Sequence, residues 1–385
     1  MESRLPEPSA DAQEASRALV DHIAAKIEAA GGWISFARYM ELVLYTPGLG
    51  YYAGGSPKFG SAGDFVTAPE ISPLFGQALA RQIADILMQV PGGAVLEAGA
   101  GSGRLAADLL PALATLGTMP ERYFILELSG ELRVRQRETL ATHAPEFLDR
   151  VEWLDRLPDH FSGCIIGNEL LDAMPVHALA WRAEGLFERG VTLHADGLDW
   201  AETPAPDHLR TLAAGLAPEI PYLGEVGLAA RAWVAAWGER LLRGGLLLID
   251  YGLAQQEYYL PQRNGGTLRC HYRHRAHDNP FWWPGLSDIT THVDFTALAE
   301  AGHAAGLDVL GYITQTGFLM NCDIGDLLLA RQAASDPAAA VRAAAAVKML
   351  LSPNEMGELF KVIAFGKGID RPLRGFARGD RLHAL

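Results

Sequence analysis

Cysteine is scarce in this 385-residue chain, occurring only as Cys164, Cys270 and Cys322. The three are far apart and form no C-x-x-C pair. This argues against a disulfide framework or a cysteine-based zinc site and makes a reducing compartment the default. Basic charge is also short, with 32 Lys and Arg against 46 Asp and Glu and a formal net charge of −14. Tracking nucleic-acid phosphates needs a basic surface, so nucleic acid is not an expected partner, whereas a cationic substrate stays compatible. Long apolar runs are missing as well. The Ala-rich stretch from Ala338 to Leu351 is broken by Arg342 and Lys348, and no membrane insertion is expected. The opening MESRLPEPSADAQEASRALV lacks the apolar core of a secretory signal and is too acidic for a transit peptide. The expectation is a soluble, cytoplasmic protein, and no internal repeat is visible.

With 49% hydrophobic and 20% charged residues, the chain has the composition of a globular protein. Leu19, Ile23 and Ile27 recur every four residues and predict a helix from about Asp11 to Ala30, stopped by Gly31-Gly32. Ser35 is placed to cap a second helix through Phe36, Met40 and Val43. A long segment, TPGLGYYAGGSPKFGSAGDFVTAPEIS, follows. Its glycines permit tight turns and its aromatics ask for a surface to pack on, so it reads as a functional loop. Ser72 then caps a helix from Pro73 to about Met88.

From Ala94 the chain alternates short apolar strands with helices. AVLEAG, YFILEL, VEWL, GCIIGNE, GGLLLIDYG, a strand near Leu307 to Ile313, and FKVIAFG make seven strands. Between them lie helices such as RLAADLLPALATLG, with Leu105, Leu109 and Leu113 on one face, and one carrying Trp233, Trp237 and Leu241. Parallel strands need crossover connections, so this rhythm predicts an α/β fold with a mainly parallel seven-stranded sheet covered on both faces. WRAEGLFERGVTLHADGLDWAE interrupts the alternation and reads as an inserted β-hairpin. A helix from Asp294 and two helices before the last strand complete the prediction. The expected division is an N-terminal helical and loop segment over 1–92, a main domain over 93–368 with an insertion at about 177–225, and a tail over 369–385.

The sharpest local signal is Glu97-Ala-Gly99-Ala-Gly101-Ser-Gly103, between a strand and a helix. Glycines there let the backbone turn and approach a ligand whose anionic part meets the helix N-terminus. A dinucleotide fingerprint would place its third glycine at position 104, which holds Arg104, and this speaks against an NAD-linked dehydrogenase. The triplet with an acid two residues before it resembles the S-adenosyl-L-methionine loop of Rossmann-like class I methyltransferases. Glu127 ends the next strand, where such a topology places an acid on a ribose. At the end of the fourth strand, IIGNELLDAMPVH presents Asn168, Glu169 and Asp172, where doubly wound sheets collect active sites. For Asn168 and Asp172, ordinary helix capping explains the pattern equally well.

NELLDAMPVH, GDFVTAPEISPLFG, LLLIDYG, GTLRCHYRH, DITTHVDF and MGELFKVIAFGKG together resemble the MidA family, over about Gly32 to Gly368. The resemblance implies an S-adenosyl-L-methionine-dependent protein arginine methyltransferase, mitochondrial in eukaryotic relatives, acting on a respiratory complex I subunit by symmetric dimethylation. NELL is also similar to the start of the double-glutamate loop of arginine methyltransferases, with Glu169 matching the first glutamate. The second has no clear counterpart, and Asp172 is one substitute. Thr291-His292-Val293 is similar to their threonine-histidine-tryptophan loop without its tryptophan, which makes His292 a third catalytic candidate. The cofactor set expected is Glu97, Gly99, Gly101, Gly103, Glu127 and Asn168, with a lid over Tyr45 to Glu70. His271, His274 and His277 could suggest a metal beside Cys270, but Arg273 and Arg275 between them disfavour it, and no metal is assigned. A base methyltransferase and a cofactor-binding scaffold with little catalysis are the remaining alternatives.

Overall fold

The computed structural model describes residues 5–53, 66–216 and 218–385. Residues 54–65, the middle of the expected lid, lie outside the described residues. The chain divides into two compact units. One comprises Met1–Phe65, Asp172–Arg231 and Leu253–Asp294, and the other Val66–Leu171, Ala232–Gly252 and Phe295–Leu385. This grouping cuts across the linear division read from the sequence, because the N-terminal helices share a core with the inserted strands.

The second unit is built on a sheet whose path runs through seven strands. These are β1 (Ala94–Ala98), β2 (Tyr123–Leu126), β3 (Val151–Leu154), β4 (Phe161–Asn168), β5 (Leu241–Leu253), β6 (Asp308–Thr314) and β7 (Phe360–Lys367). Their order is β3-β2-β1-β4-β5-β7-β6. Strands β1 to β5 are parallel, and β7 runs antiparallel to both β5 and β6. The order reverses between β1 and β4, so the carboxyl ends of these two strands flank the crevice where open α/β sheets bind ligands. Leu105, Leu109 and Leu113 of the helix Arg104–Thr115 are buried in one core with Leu79, Ile83 and Ile86 of the helix Pro73–Leu87. Each such side chain contributes about 1.5–3 kcal/mol on leaving water. Ser72 caps the helix Pro73–Leu87 by accepting the Leu74 N–H at 3.2 Å.

Two boundaries differ from expectation. Leu241 opens β5 instead of closing the helix Leu228–Arg240. Three helices, Gln315–Asn321, Ile324–Ala333 and Pro337–Leu351, stand where two were expected. One break falls at Asp323, held at φ +57°, two residues before Gly325. The tail docks on the helix Pro73–Leu87, where the Gly375 N–H donates to Gln82 Oε1 at 2.7 Å.

In the first unit, Ser9 and Ser35 cap the helices Ala10–Ala29 and Phe36–Tyr45 through the Ala12 and Arg38 N–H groups. Leu19, Ile23 and Ile27 share a core with Phe36, Met40, Val43, Ala178 and Val191. The expected hairpin is present as Gly185–His194 paired with Gly197–Pro204, and His177–Arg182 adds an antiparallel strand on the other side of Gly185–His194. Gly185 and Gly197, each the first residue after a two-residue turn, have positive φ of +138° and +122°, which glycine adopts without strain. Arg269–Tyr272, Arg275–His277 and Asp288–Thr290 form a separate three-stranded sheet. All three cysteines are free, and burial pushes their thiols up, so none is a ready nucleophile. Among the described residues no helix is long and apolar enough to cross a membrane.

Candidate active site

Strand β1 ends at Ala98, and the chain then bends through Gly99, Gly101 and Gly103 at φ +68°, +51° and +82°. An L side chain is strained in this left-handed region, so the three glycines make the bend possible. Space is short as well. A Cβ on Gly103 would lie 2.9 Å from the Gln136 Cα, and one on Gly99 would meet Leu170 at 3.0 Å. Glu97, just before the bend, is 3% exposed and accepts the Tyr123 hydroxyl at 2.6 Å. Burial pushes it up to about 7; the Tyr123 hydrogen bond opposes this, and the neighbouring Glu127 adds to it.

Glu127 follows β2, 8% exposed. Its Oε1 accepts the Ser129 N–H at 2.9 Å and its Oε2 accepts Gln136 Nε2 at 3.0 Å. Burial raises its pKa, and these hydrogen bonds work in the opposite direction. The same Gln136 Nε2 donates to the Gly101 carbonyl at 3.1 Å, while its Oε1 accepts the Trp153 indole N–H at 2.9 Å. One fully buried amide thus holds the glycine bend and Glu127 in a fixed relation. Gln136 carries no motif of its own, although its spacing gives a signal. It is the polar residue in a stripe with Leu132 and Leu140, both buried on the helix Gly130–His143.

Beyond β4 the chain turns sharply at Glu169, whose φ of +50° is unusual for a side chain of its kind. Strand β5 holds this turn. The Glu169 N–H donates to the Ile249 carbonyl at 2.9 Å, and Asp250 Oδ2 accepts the N–H groups of Leu170 at 3.1 Å and Leu171 at 2.8 Å. Glu169 Oε1 accepts Asn168 Nδ2 at 3.1 Å and the Ala68 N–H at 3.2 Å. Asn168 Oδ1 is buried and accepts no hydrogen bond among the described residues. The structure therefore brings Glu97, the glycine triplet, Glu127, Asn168 and Glu169 to the carboxyl ends of β1, β2 and β4. Asp250 likewise carries no motif, since a carboxylate in an apolar strand reads as an anomaly until its backbone partners are seen.

Asp172 and His292 belong to the other unit. There the Asp172 carbonyl accepts the Thr291 N–H at 3.0 Å, and the His292 N–H donates to Thr267 Oγ1 at 3.1 Å. In the same unit Tyr45 donates to the Ala173 carbonyl at 2.8 Å, and Tyr52 donates between the two Asp288 oxygens, each at 3.0 Å. His277 lies against Ser287 at 3.1 Å, and burial lowers its pKa.

Residues 78–313 match the model of a family described as "Putative S-adenosyl-L-methionine-dependent methyltransferase". "Protein arginine methyltransferase NDUFAF7, mitochondrial" of Danio rerio is 28% identical over 391 residues, covering 92% of this chain and 88% of its own. The Drosophila melanogaster homolog is 28% identical over 400 residues, covering 94% and 88%. A crystal structure from Burkholderia thailandensis bound to S-adenosyl-homocysteine is 52% identical, with a TM-score of 0.95, covering 99% of this chain and all of that one.

Proposed function

The chain belongs to this family of S-adenosyl-L-methionine-dependent methyltransferases, and we propose that the group it methylates is the guanidinium of an arginine in a protein. The observation that carries this reading is Glu169. Its carboxylate is fixed by two hydrogen bonds at the end of β4, on a backbone turn that β5 clamps in a strained conformation. A guanidinium keeps its charge at cellular pH and spreads its lone pairs over three nitrogens. A rigid carboxylate can grip two of its N–H groups and present one nitrogen for attack. The relatives named as protein arginine methyltransferases support the same substrate class.

The residues present fit the cofactor. Three left-handed glycines bend the backbone at the carboxyl end of β1, and Glu127 is a buried acid suited to a pair of sugar hydroxyls. Asn168 Oδ1 is an acceptor that lacks a partner among the described residues. When bound, the cofactor supplies an electrophilic methyl group. In the proposed arrangement Gly99, Gly101 and Gly103 seat its amino-acid end, Glu127 holds its ribose, and Glu97 and Asn168 line the same crevice. Holding the reacting nitrogen in line is worth up to about 7–11 kcal/mol of barrier in well-oriented model reactions. Asp172 and His292 are proposed as further catalytic residues on the sequence pattern alone. A respiratory complex I subunit is the proposed target by resemblance.

Incubating the purified protein and methyl-labelled cofactor with extract from cells lacking it tests the substrate class. The expected result is label on one polypeptide, recovered as methylarginine after hydrolysis. Label in nucleic acid or small molecules would overturn it.

A further inference from the structure

Thr67-Ala-Pro-Glu70 has the spacing of a helix capping box, in which Glu70 would turn back to the Thr67 N–H. The structure gives it another use. Thr67 makes no side-chain cap on the helix Ala68–Ile71, and Glu70 Oε1 instead accepts the hydroxyl of Ser102, inside the glycine bend. Ser102 Oγ also accepts the Arg104 N–H at 3.3 Å. A serine has one hydroxyl proton, and here it is donated to Glu70. The same short helix donates its Ala68 N–H to Glu169 Oε1, so Glu70 lies between the glycine bend and the proposed catalytic carboxylate.

The charges at this corner are unevenly shared. Arg104 is bound by Asp108 through two contacts, at 3.0 and 3.1 Å, and is taken up by that carboxylate. Among the described residues Glu70 Oε2 accepts no hydrogen bond and Glu70 has no ion-pair partner, although the side chain is only half-buried. The amino-acid end of the cofactor carries an α-ammonium, which calls for a counter-ion. Glu97 suits that role poorly, being nearly fully buried and occupied by Tyr123, with burial favouring its neutral form.

We propose that Glu70 is a cofactor-binding residue whose carboxylate, steadied by Ser102, receives the α-ammonium of S-adenosyl-L-methionine. This places an electrostatic contact before the glycine-rich strand-turn-helix, in a segment that no glycine fingerprint covers. It rests on seating the amino-acid end at the glycine bend and is independent of the arginine substrate.

The test compares two probes by calorimetry, S-adenosyl-homocysteine and methylthioadenosine, which shares the nucleoside but lacks the amino-acid end. Glu70→Gln is expected to weaken S-adenosyl-homocysteine roughly tenfold to hundredfold, the range for losing a charge-assisted hydrogen bond. Methylthioadenosine affinity should stay within about twofold, which also serves as the check on folding. Ser102→Ala should produce a smaller loss with the same selectivity. Equal weakening of both probes, or no weakening of either, would overturn the proposal. So would unchanged S-adenosyl-homocysteine affinity with lost turnover, which would move Glu70 to the substrate side.

Discussion

Gln136 Nε2 lies 3.0 Å from Glu127 Oε2, and this buried contact joins the glycine bend to the acid that follows β2. Replacing Gln136 with Leu keeps the bulk but leaves the Gly101 carbonyl, the Trp153 indole N–H and one Glu127 oxygen short of a partner. Stability should fall by about 1–3 kcal/mol per buried group left unsatisfied. Cofactor affinity should fall about tenfold through the misplaced acid. Urea denaturation and calorimetry read the two effects separately, and an unchanged affinity would detach Gln136 from the site.

Gly103→Ala places a Cβ at φ +82° and 2.9 Å from the Gln136 Cα. The left-handed conformation alone costs about 1–2 kcal/mol for an L residue, and the overlap adds roughly 1–3 kcal/mol. Thermal unfolding should therefore move down by several degrees, with cofactor affinity reduced in parallel. A stable variant that binds normally would show that the bend is not fixed by this glycine.

Asp250 acts on Glu169 through the backbone, since its Oδ2 accepts the Leu170 and Leu171 N–H groups. In Asp250→Ala the turn loses these acceptors and the strained Glu169 conformation loses its support. Turnover should drop by about a hundredfold, as misplacement by an ångström does elsewhere, while cofactor affinity stays within about threefold. Asp250→Asn, which keeps one acceptor oxygen, should lie between the two. Equal loss of turnover and cofactor affinity would indicate a wider collapse.

Glu97 carries a pH signature. Burial raises its pKa from the usual 4.5 to about 7. Between these values the unfolded chain releases the proton and the folded chain keeps it, so folding is favoured at low pH. That contribution is lost as the pH rises from about 4.5 to 7, and amounts to roughly 3 kcal/mol. In Glu97→Gln this part of the fall should be absent, leaving the variant more stable than the parent at pH 8 relative to pH 5. Parallel stability curves for the two proteins would show that Glu97 is not the titrating group.

Much of the fold was legible because its signals are local. Seven apolar strands, their intervening helices and the glycine triplet all announce themselves within a dozen residues. Glu169 was legible through its position after β4. What escaped the sequence depends on distant partners. Asp250 meets Leu170 across 80 residues, and Glu70 meets Ser102 across 32. The inserted strands His177–Arg182, Gly185–His194 and Gly197–Pro204 are joined at two turn signals, Glu184-Gly185 and Asp196-Gly197, and both are honoured. At the helix break, Asp323 is held by Arg81 and Arg374, both far away in the chain.

The most direct test is Glu169→Gln, with S-adenosyl-homocysteine affinity and methylarginine formation measured on the same preparation. Glutamine keeps the shape and one acceptor oxygen but loses the charge that would hold a guanidinium. The expected result is cofactor affinity within about threefold of the parent and no detectable methylarginine. Methylation that persists in the variant, or affinity that vanishes with it, would contradict a substrate-gripping carboxylate at the end of β4.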